Sequence, residues 1–164
     1  MTIDTACSSS LVAMDVGIQE LVRHRTEAVL VGGVGLINSP RTTREFMAAN
    51  LLSPSRRCAT FDLRADGYLR SEGCGVVLMR RLRDALWNNQ PVHAIVRGSA
   101  VNQDGNTPTL TAPNRPSQEA LYRQALEDAG LKPTDIHYIE CHGTGTPLGD
   151  PIKTNGIRKV YEKK

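Results

Sequence analysis

A cysteine and a histidine in two separate turn-like segments are the residues of this 164-residue sequence best suited to covalent chemistry. Cys7 stands where a short apolar strand should give way to a helix, within the segment DTACSSS at residues 4–10. Free backbone N–H groups and the helix dipole at such a junction favour a thiolate and can stabilise an oxyanion. Position alone also allows a buried structural cysteine followed by a serine N-cap, so both interpretations stay open.

His142 begins a loop of small residues, HGTGT, directly after an apolar stretch that is predicted to be a strand. Strand ends of this kind form the ligand-binding edge of an α/β sheet. The glycines allow close backbone approach, and the hydroxyls of Thr144 and Thr146 can bond to a polar ligand. A hydrogen-bonded structural histidine is the alternative interpretation. The other histidines are assigned to structure because they lie in helix-end or strand contexts: His24, His93 and His137.

Three further segments carry weaker signals. Residues 61–73 interleave charged and aromatic side chains, which suits a site wall held by ion pairs or, alternatively, a solvated loop. Glycines in residues 32–35 lack the spacing and the lysine of a phosphate-binding loop, so close packing of a helix on a strand explains them better. The arginine clusters at 56–57 and 80–83 are interpreted as solvated surface, with a docking patch for an acidic partner as the alternative.

Composition excludes several classes of protein. The net charge of +3 and the 4% aromatic content do not favour a nucleic-acid partner. The longest apolar run, residues 28–37, is interrupted by glycines and is too short to span a membrane. Four cysteines without a CxxC pair argue against zinc and disulfide frameworks and fit a reducing compartment, so we expect a cytoplasmic protein without a metal site.

Helices and strands alternate along the chain, which predicts an α/β fold with a mostly parallel sheet. Apolar spacing, caps and turn residues predict helices at residues 8–24, 39–50, 84–88, 116–129 and from 150 onward. Short apolar runs predict strands at residues 3–6, 27–34, 75–80, 92–101 and 136–140. A long loop at 52–73 is expected to be functional because such loops are uncommon in compact domains.

The segment at residues 4–10 resembles the nucleophile motif of β-ketoacyl synthases, specifically the ketosynthase domains of modular type I polyketide synthases. Residues 99–105, SAVNQDG, resemble the polyketide branch more than the fatty-acid branch. Further stretches agree with the family in order along nearly the whole chain: residues 32–34, 52–54 with 57–58, 60–62 with 65–68, 72–75, 97–105, 110–114 and 142–151.

The resemblance implies a thiolase-like layered fold (αβαβα) and a homodimer in the complete protein. Residues 1–88 would be the rear of the N-terminal half, and residues 91–164 the front of the C-terminal half. The family's nucleophilic cysteine falls on Cys7. Its first active-site histidine falls on His142, and threonines that hold the carrier's phosphopantetheine arm fall on two positions, Thr144 and Thr146.

The implied reaction is a decarboxylative Claisen condensation between an acyl thioester on the cysteine and a malonyl-type extender on an acyl carrier protein. No cofactor is expected to bind directly, since the phosphopantetheine arm arrives as a substrate carrier. We expect no nucleic-acid or membrane partner. A 3-oxoacyl synthase of fatty-acid synthesis, a truncated non-catalytic remnant and a cysteine hydrolase remain alternatives, although no residue resembles a hydrolase's orienting Asn or Asp.

The family's second active-site histidine lies in an Asn-x-Gly-His stretch, which these 164 residues do not contain. A later glycine-rich oxyanion segment is missing as well, and both chain ends resemble cut ends. We therefore expect an internal piece of a longer protein, which alone neither folds stably nor condenses substrates. Three positions depart from the family pattern without removing a catalytic group: Ser71, Cys141 and Lys153. At the last of these, the family usually has an acidic residue.

Overall fold

The computed structural model describes residues 1–108 and 112–162. A short 3₁₀ turn at Ala6–Ser8 leads into the first helix, and a second 3₁₀ turn lies at Pro133–Asp135. The other elements, in chain order, are α1 (Ser9–Val22), β1 (Ala28–Gly35), α2 (Pro40–Ala48), β2 (Gly73–Arg80), α3 (Leu82–Trp87), α4 (Arg115–Ala129) and α5 (Gly149–Tyr161). All five predicted helices are present within a few residues of their expected ends.

Local capping explains where two of these helices begin and end. Ser39 caps α2 by accepting a hydrogen bond from the backbone of Arg41, and proline occupies the first turn. Asn114 caps α4 by accepting from the N–H of Ser117 at 3.3 Å. Gly130 ends α4 with a φ of 63°, a left-handed conformation that glycine adopts without strain. These signals were readable in the sequence.

The sheet differs from the sequence prediction. Strands β1 and β2 form an antiparallel pair, with Val31 opposite Val77, so the expectation of a mostly parallel sheet is wrong for the strands described. A helix and the long loop 49–72 connect them and return the chain in the opposite direction, instead of the βαβ crossover that the alternation predicted.

Three other predicted strands are absent from the part of the chain that the structure describes. Residues 3–6 run irregularly into the 3₁₀ turn, and residues 92–101 and 136–140 have no neighbouring strand to pair with. A strand exists only through its hydrogen-bonded partner, and none of the described residues supplies one. Two residues of the 110–114 motif, 110 and 111, lie outside the described residues, as do 163 and 164 at the end of the predicted C-terminal half.

Helix α1 packs closely on one face of the two-stranded sheet. A Cβ at Gly17 would lie 3.1 Å from Val29 and 3.2 Å from Val31, and a Cβ at Gly33 would lie 3.2 Å from the Cβ of Ser10. Of the β1 glycines, Gly33 therefore serves helix–sheet packing, as predicted, and it allows the first turn of α1 to lie against the sheet, whereas a Cβ at Gly35 would meet nothing within 4 Å. The opposite face is exposed and apolar, and we call it the open sheet face: Leu30, Val34, Val76 and Leu78.

Few apolar side chains are buried. Those under 10% exposed form one group around α1, β1 and α3 and another between α4 and α5: Leu21, Val31, Ala85, Leu126 and Val160. The accessible surface is 12379 Å², whereas a compact monomer of 17.9 kDa exposes about 8,000 Å². This surplus of accessible surface includes the apolar side chains of the open sheet face. It indicates that the described residues do not complete a core.

Ser99 connects the two groups of helices. Its hydroxyl donates to Asp15 of α1 at 2.7 Å, and its N–H donates to Asp128 of α4 at 2.8 Å. The neighbouring Gly98 lies so close to the backbone of Ala129 that a Cβ would be 2.5 Å from its nitrogen. This segment therefore runs between α1 and α4 and fixes one relative to the other.

Candidate active site

Cys7 lies in a 3₁₀ turn that is braced by its neighbours. Asp4 accepts a hydrogen bond from the N–H of Ala6 at 3.0 Å, and Ser9 donates to the carbonyl of Ala6 at 2.6 Å. Ala6 itself has a φ of 56°, an uncommon conformation for a residue with a side chain. Strain of this kind costs about 1–3 kcal/mol and persists only where the surroundings impose it. The turn is thus held in one conformation directly before the cysteine.

The thiol of Cys7 is exposed at the N-terminal end of α1. Ser8 stands at the N-cap position, but its hydroxyl donates to the carbonyl of Thr5 at 3.0 Å and leaves the first helical N–H groups uncapped by a side chain. The alternative of a buried cysteine followed by a capping serine is therefore wrong. The free N–H groups and the positive end of the helix dipole favour an anion beside Cys7.

The loop that begins at His142 is fixed by the long loop that precedes β2. Thr60 donates its hydroxyl to the carbonyl of Gly143 at 2.5 Å, and the N–H of Gly67 donates to the carbonyl of Gly145 at 2.9 Å. Both loop glycines have positive φ, 52° at Gly143 and 66° at Gly145, which a side chain would oppose. The two segments, distant in sequence, therefore form one rigid wall of the site.

Thr144 and Thr146 lie side by side on this loop. Their hydroxyl oxygens are 3.3 Å apart, and the Thr146 oxygen also accepts the N–H of Gly149 at 3.2 Å. Both side chains are half-buried, so each hydroxyl keeps capacity for one further polar contact. The loop thus presents paired hydroxyls at the start of α5.

Asp150 anchors the first turn of α5 against the same wall. Its side chain is 4% exposed, and one carboxylate oxygen accepts the N–H of Phe61 at 3.1 Å. The other oxygen is buried and has no hydrogen-bond partner among the described residues. A buried acceptor left unpaired is costly.

The imidazole of His142 is partly desolvated by its surroundings although its outer edge reaches solvent. Burial lowers its pKa from the ordinary histidine value, and the nearby Lys153 ammonium lowers it further, while the Asp150 carboxylate opposes both effects. The lowered pKa favours the neutral form of the ring. A neutral ring can donate one hydrogen bond and accept another.

Cys7 acts electrostatically on two further residues, Lys153 and Tyr68, the second of which belongs to the predicted wall segment 61–73. Lys153, half-buried on α5, interacts electrostatically with both Cys7 and His142. Burial raises the pKa of Tyr68, and the charge of Cys7 raises it further. The departure of Lys153 from the family pattern was the one signal in the sequence that could have singled it out.

Ion pairs do not hold the wall formed by residues 61–73, so that interpretation is wrong. Arg64 pairs with Asp62, two residues away, at 2.7 Å, and this bond holds the pKa of Asp62 well below its usual range. Asp66 instead accepts hydrogen bonds from Ser53 and from the N–H of Ser55, which lowers its pKa. The loop is therefore stabilised by local hydrogen bonds and attached to the histidine loop through uncharged groups.

The order of these features matches that of a known family. The model of the β-ketoacyl synthase N-terminal domain matches residues 1–85, and that of the β-ketoacyl synthase C-terminal domain matches residues 93–164. The chain belongs to the β-ketoacyl synthase family. Its fold is accordingly thiolase-like and α/β, with a partial sheet, as the resemblance implied.

Curated relatives of this ketosynthase chain are polyketide synthases. It is 49% identical over 98% of its length to a phenolphthiocerol/phthiocerol polyketide synthase polypeptide of Mycobacterium tuberculosis. It is 48% identical over its whole length to the spectinabilin polyketide synthase system protein NorA' of Streptomyces orinoci. The chain spans only 7% and 4% of these relatives' lengths.

Solved ketosynthase structures share the same geometry. The ketosynthase from module 6 of the bacillaene synthase of Bacillus subtilis 168 superposes with a TM-score of 0.95 at 41% identity, covering 98% of this chain and 29% of that one. An oxazolomycin ketosynthase domain of Streptomyces albus JA3453 superposes with a TM-score of 0.95 at 37% identity. That match covers 99% of this chain and 28% of the oxazolomycin domain chain. Among the described residues, no helix is both long and apolar enough to cross a membrane.

Proposed function

We infer that this chain supplies the acyl-accepting cysteine and one active-site histidine of a polyketide ketosynthase. The observation that carries the proposal is the exposed Cys7 on a strained turn at the N-terminal end of α1. We call the complete ketosynthase that contains these residues the parent protein. The division into residues 1–88 and 91–164 remains our proposal, and the bounds of the two matching domain models support it.

The first step transfers the acyl chain to Cys7. The thiolate attacks the carbonyl carbon of an acyl thioester, the new C–S bond forms, and the thiol of the phosphopantetheine arm leaves. Uncapped N–H groups of α1 stabilise the tetrahedral oxyanion that forms on the way. The strained Ala6 holds the sulfur in position, so little reorganisation accompanies the attack.

The second step joins the extender to the acyl chain. A malonyl-type thioester loses CO₂, and the electrons of the broken C–C bond form an enolate that attacks the acyl group on Cys7. A C–C bond forms, the C–S bond breaks, and the Cys7 thiolate is regenerated. The neutral His142 ring donates a hydrogen bond to the enolate oxygen, where negative charge develops.

Thr144 and Thr146 hold the phosphopantetheine arm in this proposal. Their adjacent hydroxyls, 3.3 Å apart, can bond to its amide groups while the carrier protein remains outside. The partners are therefore an acyl carrier protein, an acyl thioester and a malonyl-type extender, and the parent protein acts in the cytoplasm as a homodimer. No directly bound cofactor is needed, because both substrates arrive as thioesters.

The test separates the roles of the two catalytic residues in the parent protein. C7A should abolish both acyl transfer and condensation, but it should leave malonyl decarboxylation measurable as CO₂ release. H142A should accept the acyl group at Cys7 and yet lose decarboxylation. Retention of condensation in C7A would contradict the proposal, and a preference for fatty-acyl over polyketide-type thioesters would favour the fatty-acid alternative.

A further inference from the structure

Asp150 is the least exposed charged residue among residues 1–108 and 112–162, with 4% of its surface accessible. It lies in the first turn of α5, and one of its carboxylate oxygens accepts the N–H of Phe61 at 3.1 Å. Burial of a carboxylate is costly unless hydrogen bonds compensate for the lost water. Neither step of the proposed reaction uses this side chain, so its burial calls for another explanation.

The residue that donates to Asp150 has a strained backbone. Phe61 has a φ of 60°, a left-handed conformation that costs a residue with a Cβ about 1–2 kcal/mol. The N–H of Asp62 donates to the carbonyl of Ala59 at 3.2 Å, so Phe61 lies inside a tight turn, which we call the 59–62 turn. The side chain of Phe61 is 59% exposed. The hydrogen bond to Asp150 therefore stabilises a conformation that packing of this exposed side chain does not impose.

The 59–62 turn lies directly against the loop that follows His142. Thr60 donates its hydroxyl to the carbonyl of Gly143 at 2.5 Å, and a Cβ at Gly143 would lie 2.7 Å from the methyl carbon of Thr60. Further along the loop, a Cβ at Gly145 would lie 3.2 Å from the nitrogen of Ala59. A displacement of the turn therefore displaces residues 143–145, which directly follow His142.

Asp150 closes the same loop at its other end. Its N–H donates to the carbonyl of Thr146 at 3.3 Å. Two hydrogen bonds then join the loop to the 59–62 turn, one at Gly143 and the other at Asp150. Residues 143–150 and the turn thus form a closed ring. A loop held at both ends samples fewer conformations than a loop held at one end.

We propose that Asp150 is a positioning residue for the decarboxylation step. Its carboxylate holds the 59–62 turn, and through Thr60 the turn fixes the loop that begins at His142. This rests on the function proposed above and adds a residue to it. Cys7 lies outside this ring, in a turn braced by Asp4 and Ser9. Loss of the Asp150 carboxylate should therefore slow decarboxylation and leave acylation of Cys7 intact.

The experiment compares two rates in the parent protein, CO₂ release from a malonyl thioester and acylation of Cys7 by an acyl thioester. In D150A we expect kcat for decarboxylation to fall by about tenfold or more, with KM and the acylation rate unchanged. D150N keeps an oxygen that can accept from Phe61, so it should remain near the original rate. E162A removes an exposed carboxylate directly after α5 and is the matched control, which should change neither rate.

A glycine at position 61 tests the strained turn itself. Glycine adopts a φ of 60° without strain, so the 59–62 turn of F61G should depend less on Asp150. The double variant D150A/F61G should therefore recover part of the decarboxylation rate that D150A loses. F61G alone should remain near the original rate. If D150A does not fold, D150L removes the carboxylate with a side chain of similar size.

A decarboxylation rate in D150A within about twofold of the original would overturn the proposal. So would an equal fall in acylation, an equal fall in D150N, or no recovery in D150A/F61G, because each would mean that the hydrogen bond to Phe61 does not position His142. The H142A variant separates this inference from the proposed function. If H142A loses decarboxylation while D150A keeps it, only the role of Asp150 is lost, whereas retention in H142A would contradict the function itself.

Discussion

The hydroxyl of Thr60 donates to the carbonyl oxygen of Gly143 at 2.5 Å, across 83 residues of sequence. Cys58 approaches the same carbonyl, with its sulfur 3.4 Å away. This junction fixes the residue directly after His142, so the direction of the imidazole depends on a loop that contributes no proposed catalytic group. A functional role of the long loop before β2 therefore stays a prediction.

Thr60→Val should loosen the histidine loop. The change leaves the Gly143 carbonyl with only the weak Cys58 thiol as a donor, at a cost of about 0.5–1.5 kcal/mol in the free energy of unfolding. We expect malonyl decarboxylation by the parent protein to slow as well, because His142 is no longer held. Thr60→Ser keeps the donor and is the matched control. Equal stability and equal decarboxylation rates in T60V and T60S would contradict this role.

Ala6 should tolerate glycine but not a branched side chain. A φ of 56° already costs a residue with a Cβ about 1–2 kcal/mol, and the β-branched side chain of Ala6→Val adds further strain to this left-handed conformation. The rate of Cys7 acylation by a thioester should fall in A6V and remain near the original in A6G. Equal acylation rates in the two variants would show that the turn is not constrained as described.

Protonation of His142 should destabilise the folded parent protein. Its folded-state pKa is lowered, so the unfolded chain binds the proton more readily. The neutral ring makes its full contribution to the free energy of unfolding above about pH 6.5, the pKa of histidine in the unfolded chain. That contribution is lost as the pH falls from there toward the pKa of His142 in the folded protein. The lowered carboxylate pKa values of Asp66 and Asp84 act at more acidic pH.

Denaturant unfolding of the parent protein and of H142Q at about pH 8, 7, 6 and 5 measures this contribution as a difference. The free energy of unfolding of the unsubstituted parent protein should fall more steeply on acidification than that of H142Q. Parallel pH dependences would mean that His142 is not desolvated.

The isolated 164-residue chain should behave as an incomplete domain. Its open sheet face exposes apolar side chains, including Leu30 at 71% and Val34 at 70%, and its surface is far larger than a compact monomer requires. We expect it to bind an apolar fluorescent dye and to unfold in urea without a sharp transition. The parent protein is the control. A cooperative transition without dye binding would contradict this expectation.

Local signals in the sequence predicted the helices and the chemistry better than they predicted the sheet. Ser39, Asn114 and Gly130 act through neighbours within a few residues, so α2 and α4 could be read directly. The antiparallel pairing of β1 with β2 depends on the path of the loop between them, which no local pattern specifies. Residues 92–101 have the composition of a strand, but a strand also needs a partner.

The candidate site shows the same contrast between features that local sequence signals predict and features that depend on distant parts of the chain. Cys7 and His142 were proposed as site residues because their residue types follow predicted strands and resemble a family motif, and their catalytic roles stay predictions. The role of Thr60 could not be read, because its hydrogen bond to Gly143 joins residues that are distant in sequence. The predicted ion pairs of the long loop failed because Arg64 found its partner at Asp62, two residues away.

The most direct measurement identifies the residue that carries the acyl group. The parent protein is incubated with an acyl thioester substrate, digested, and the acylated cysteine is located by mass spectrometry. We predict modification at Cys7 well before any at Cys58, Cys74 or Cys141, and no acyl-enzyme in C7A. Equal modification of all four cysteines in the folded protein, or an undiminished acyl-enzyme in C7A, would contradict the central claim that Cys7 is the nucleophile.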